Sequence, residues 1–108
     1  MNYTDYNAAI NAQIERCKKI LTIKGGEYAD DCDPFETFKV AAAIQNTDIF
    51  KALGGMMAKH TASIYHMIGD MNPMVYSLEK WDEKITDHIN YLLILSAMVH
   101  DAYENEDL

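Results

Sequence analysis

Apolar residues recur every three or four positions along four separate stretches of this chain, a spacing that places each set on one face of a helix. The most apolar stretch carries Trp81, Ile85, Ile89, Leu92, Leu95 and Val99, and predicts a long helix from a Ser77 cap to about Tyr103. Its segment 92–95 is apolar all round, which suits a central helix covered on several sides, a subunit interface among them. Tyr3, Tyr6, Ile10, Ile14, Cys17 and Leu21 predict a first helix from about Thr4 to Ile23, ended by Gly25 and Gly26. Asp33-Pro34-Phe35-Glu36 reads as a capping box with proline at the first helical position, so a second helix should begin at Pro34 and stop near Gln45 and Asn46. Thr47 or Asp48 then caps a third helix through Ile49, Leu53, Met56, Met57, His60, Ile64 and Met67. Gly54 and Gly55 in its middle imply a kink or close helix packing, or else a backbone that a ligand must approach.

The expected fold is therefore all-α: one four-helix, bundle-like domain over residues 1–108, with the third and fourth helices at its centre and the acidic end from about 103 frayed. At 108 residues a chain buries a real core yet leaves apolar helix faces that a second subunit often covers, so a homo-oligomer is expected. No run approaches the roughly 18 consecutive apolar residues of a membrane span. The first ten residues lack the basic start and apolar run of a signal peptide. These two readings lead to the expectation of a cytoplasmic protein with no membrane partner. Cys17 falls on the apolar face of its helix and Cys32 in a loop, without disulfide or CxxC spacing.

Nine Lys and Arg against seventeen Asp and Glu give a formal net charge of -8, which repels a nucleic-acid backbone and disfavours duplex DNA or RNA as a partner. Part of the acidic excess sits in the loop Asp30, Asp31, Asp33 and the tail Glu104, Glu106, Asp107, so the helical body is nearer balance and can still accept a small anion.

Glu83, Asp87, Asn90 and Tyr91 share one side of the fourth helix, and two carboxylates one turn apart can hold a divalent ion. The competing reading is a solvated stripe with Glu83 paired to Lys80 or Lys84. On the third helix Lys59, Ser63 and His66 share a face and form a candidate phosphate row: a point charge, a hydroxyl donor and an imidazole donor. His60 continues the apolar stripe with Met56 and Ile64 and reads either as a core histidine or as a ligand. Lys24-Gly25-Gly26-Glu27-Tyr28 has glycines but not the spacing of a P-loop, and Tyr28 or Phe38 supplies either a flat surface for a base or core packing. There is no GxSxG, no HExxH, and no zinc pattern among four histidines and two cysteines.

The strings KGGEY at 24–28, DPFETF at 33–38, MMAKHTASI at 56–64 and WDEKITDHINYLLIL at 81–95 resemble small phage-encoded helical proteins of the nucleotide-modification-associated type. Those in turn look like distant relatives of the all-α, MazG-like nucleoside triphosphate pyrophosphatases. In that family, ExxE and ExxD motifs on two helices hold magnesium against a triphosphate so that water attacks phosphorus. Asp87 matches the aspartate of the second motif, but the position three before it is Lys84, with Glu83 one further back, and the ExxE helix has no counterpart.

The resemblance with those metal ligands lost implies a nucleotide-derived small molecule held without cleavage, as in phage sponges that sequester the nucleotide signals of bacterial immunity. Lys24, Lys59, His60 and Ser63 would lie near phosphate, Tyr28 or Phe38 against the base, and Asp87, Asn90 and Tyr91 at ribose or base edges; no cofactor is then needed. The alternative is a magnesium-dependent pyrophosphatase using Glu83 and Asp87, completed by Glu27 or Glu36. A third reading is an acidic inhibitor that binds a basic host protein.

Overall fold

The computed structural model describes residues 1–26, 32–70 and 72–105. In it the chain forms α1 (Tyr3–Gly26), α2 (Glu36–Ile44), α3 (Ile49–Gly69) and α4 (Leu78–Glu104), with a 3-10 turn at Pro73–Val75 leading into α4. No strand occurs among the described residues, and the all-α, bundle-like class stands.

Two helix starts are built by the capping side chains that the sequence offers. Asp48 accepts a hydrogen bond from the Lys51 amide at 2.8 Å, and Ser77 from the Lys80 amide at 3.0 Å, each satisfying an amide that the first turn leaves without an intrahelical acceptor. The start of α2 differs from expectation. Asp33 accepts from the Phe35 amide at 2.8 Å, and its carbonyl accepts from the Glu36 amide at 3.1 Å, so Pro34 and Phe35 sit in a turn and the helix begins at Glu36. Its carboxylate also holds Lys39, which draws Asp33 away from a reciprocal box with Glu36. At the other end of the preceding connection α1 runs on through Gly25 and Gly26, because glycine permits a helix stop without compelling one. α4 continues to Glu104, and residues 106–108 of the tail expected to fray lie outside the described residues.

Phe38 of α2, Leu53 of α3 and Met98 of α4 form the buried centre, with Phe35, Ile49, Phe50, Met56, Tyr91, Ile94 and Leu95 packed around it. Thus α3 and α4 are central, as their apolar content implies. Side chains such as Leu53, 1% exposed, each contribute about 1.5–3 kcal/mol by leaving water.

α1 is attached differently. It packs on α4 through a polar seam in which Gln13 Nε2 donates to Thr86 Oγ1 at 2.8 Å, and Arg16, which donates to Gln13 Oε1 at 2.9 Å, also lies 3.5 Å from Asp82. Residues 13 and 16 meeting 86 and 82 make the two helices antiparallel. Cys17 is buried beside this seam, whereas Tyr3, Tyr6, Ile10 and Ile14, expected to face a core, are exposed. Cys32 is exposed, as expected of a loop thiol. None of the described helices is long and apolar enough to cross a membrane.

Candidate functional site

The antiparallel pairing of α3 and α4 brings several singled-out side chains into register. His60 lies against Tyr91 with ring centroids 4.9 Å apart, and one residue on, Thr61 Oγ1 is 3.0 Å from His88 Nε2. Thr61 Oγ1 also lies 3.3 Å from the Met57 carbonyl, to which it can donate while accepting from the imidazole. His60 and Tyr91 are half-buried partners of each other, in keeping with a histidine that continues an apolar stripe.

Other candidates fall apart from them. Phe38 is 8% exposed in the core cluster, so its ring offers no open face to a base. Lys59 is exposed on α3, Glu83 is exposed and Asp87 half-buried on α4, and Glu36 is exposed at the start of α2. Asn90 is buried, 6% exposed, and among the described residues neither its amide oxygen nor its nitrogen has a hydrogen-bond partner. Tyr28 and Glu27 lie outside the described residues, and Lys24 falls in the last turn of α1, of which only the backbone is described. Lys59, His60, Asp87, Asn90 and Tyr91 line neither of two clefts that the helices form, one at each end of α4.

Of the carboxylates that the resemblance assigns to magnesium, Glu83 and Asp87 share α4, Glu36 starts α2, and Glu27 lies outside the described residues. Among the described residues no three His, Cys, Asp or Glu side chains converge on a point where an ion would sit. Glu83 and Asp87 stand one turn apart on α4, and a magnesium ion held by one or two carboxylates takes its remaining oxygens from water and substrate phosphates. Among the described residues that pair is joined by no third such side chain.

Of the two clefts, the first, about 500 Å³, opens between the start of α2 and the end of α4 and is lined by Asp33, Asp101 and Glu104 against Lys39 and His100. Lys39 is already committed there. Its hydrogen bond to Asp33 raises its own pKa, and the same bond, followed by the Phe35 amide, lowers that of Asp33. A site with three carboxylates and a spoken-for lysine repels an anion.

The second cleft, about 360 Å³, lies between α3 and the start of α4 and has the opposite character. Ser63, His66, Lys80 and Lys84 supply donors and positive charge, Ala62, Met67 and Tyr76 supply an apolar wall, and no carboxylate lines it. Tyr76 is braced from three directions: its hydroxyl donates to Asp70, which raises its pKa; Trp81 meets it edge-on at 6.0 Å; and the Lys80 ammonium sits 5.1 Å above its ring. Among the described residues neither Lys80 nor Lys84 has an ion-pair partner, and Glu83 pairs with neither.

Of the candidates read from the sequence, this cleft takes in Ser63 and His66 of the proposed phosphate row, but not Lys59. It adds Tyr76, Lys80 and Lys84, which spacing alone does not place near α3. One signal for the lysines was present: they stand one turn apart, and like charges at that spacing cost a helix a few tenths of a kcal/mol. Compared with known protein families, curated protein sequences and solved structures, the chain matches none.

Proposed function

We propose that this chain binds a phosphorylated small molecule, nucleotide-derived in class, in the cleft between α3 and α4, and holds it uncleaved. The observation that carries this reading is the pair Lys80 and Lys84 beside His66 and Ser63, unopposed by any lining carboxylate in a chain whose net charge is -8. Two ammonium groups one turn apart repel each other, and a phosphate oxygen between them turns that repulsion into attraction. Ser63 and His66 face them from α3 with donors that suit the remaining phosphate oxygens. The apolar wall of Ala62, Met67 and Tyr76 gives the unphosphorylated part of the ligand somewhere to lie, and the volume is within the range of about 300–1,000 Å³ usual for small-molecule sites. Retention without hydrolysis is supported by the lining of this cleft, which carries no carboxylate to hold an ion against the phosphate.

Calorimetric titration with pyrophosphate, AMP, ATP and adenosine tests the proposal. The phosphorylated probes should bind, more weakly as salt is raised, and adenosine should not. The double variant Lys80→Gln/Lys84→Gln should lose about tenfold or more in affinity, equivalent to about 1.4 kcal/mol. ATP incubated with the protein and magnesium should be recovered intact. Equal binding by the double variant would place the anion elsewhere, and release of pyrophosphate that Asp87→Asn abolishes would establish the pyrophosphatase instead.

A further inference from the structure

An apolar strip along the first half of α1 is regular and uncovered. Tyr3, Tyr6, Ile10 and Ile14 are 83%, 51%, 45% and 47% exposed. A helix turns about 100° per residue, which sets these four within one arc that also holds Cys17 and borders Gln13, so that they continue the α4-facing line toward the start of α1, with Asp5 well off it. On α4, Leu92 and Leu93 add further exposed apolar surface to the same two-helix unit.

The whole chain carries the same signature. It exposes 8225 Å², about a third more than the ~6,100 Å² expected of a compact monomer of its 12.3 kDa. Its radius of gyration is 16.4 Å, against the ~13 Å usual for this length. The surplus of about 2,000 Å² exceeds the ~800 Å² that each partner contributes to a standard interface.

We infer that the α1 strip is the contact surface for a second copy of this chain. Charge selects that occupant. Residues 3–14 carry one charged side chain, Asp5, and residues 88–99 of α4 carry no Asp, Glu, Lys or Arg, in a chain that is 24% charged. A partner recognised by opposite charge gains nothing from a neutral strip, whereas a chain of net charge -8 approaches its own copy at least cost through one. The strip is also self-complementary. Antiparallel pairing about a two-fold axis sets Tyr3 against Ile14 and Tyr6 against Ile10, each contact made twice, and joins two α1–α4 pairs into one four-helix layer. This surface is separate from the cleft of Lys80 and Lys84, so neither reading depends on the other.

Sedimentation equilibrium of the full chain at micromolar concentration tests the inference. The wild type should have twice the chain mass, and Ile10→Glu should return it to one chain with helical circular dichroism retained. If Ile10→Glu loses helicity, Tyr3→Glu decides, because a side chain 83% exposed does not hold the monomer together. Ile68→Lys, at another exposed apolar position on α3, should leave the dimer intact. A monomeric wild type, a dimer that survives both α1 variants, or a dimer broken only by Ile68→Lys would overturn the inference.

Discussion

Asn90 is the residue whose environment least suits its chemistry. Its amide is buried among apolar neighbours in sequence and finds no partner among the described residues, whereas Thr86, one turn earlier and also buried, accepts from Gln13. An amide left in that state costs about 1–3 kcal/mol relative to a paired one. Asn90→Leu, similar in length and with no hydrogen-bond demand, should therefore raise the melting temperature, by about 1 kcal/mol of stability. A lower melting temperature in the variant would mean that the amide is paired in solution. That a polar residue in this stretch lies near the core is legible from its spacing; which polar residue is satisfied is not, because that depends on where α1 crosses α4. The same limit applies to Tyr76, Lys80 and Lys84, whose approach to Ser63 and His66 requires α3 and α4 to pack.

At the scale of elements, α3 runs unbroken through Gly54 and Gly55, and a Cβ at either position would meet nothing within 4 Å. Close packing within the chain therefore does not explain them. Gly55→Ala should stabilise α3 by about 1 kcal/mol, the ordinary difference between these residues inside a helix, measured by urea denaturation. The start of α2 is held by an ionised Asp33, whose folded pKa is lowered first by Lys39 and second by the Phe35 amide. A lowered carboxylate contributes stability that is present above its unfolded pKa and is lost as pH falls through the folded value. The Phe35 amide resonance should accordingly keep its position through the normal carboxylate range, move only at more acidic pH, and show no such step in Asp33→Asn. Helix caps at Asp48 and Ser77 are legible in the sequence because capping is local. The α2 start is not, because Lys39 competes for the same carboxylate.

For the molecule as a whole, the cluster of Phe38, Leu53 and Met98 ties α2, α3 and α4 together, while α1 is held to α4 by the Gln13 and Arg16 seam. Leu53→Ala should cost about 2–5 kcal/mol, the usual range for emptying a buried leucine site, and should weaken all three helices in one transition. Denaturant curves followed by circular dichroism and by Trp81 fluorescence, the latter reporting on α4, should shift together. Separate midpoints would show that the α2–α3–α4 unit is not a single cooperative body.

Helix number, approximate limits, two of the caps and the centrality of α3 and α4 were determined by sequence alone, because period and capping act over three or four residues. Tertiary structure decided which faces those helices bury and which charges they leave unopposed. It sends Phe38 inward, leaves the strip from Tyr3 to Ile14 in water, and gathers His66, Lys80 and Lys84 at one cleft. Burial and electrostatic potential are sums over groups distant in the chain, and only the packed arrangement of helices sets the distances in those sums.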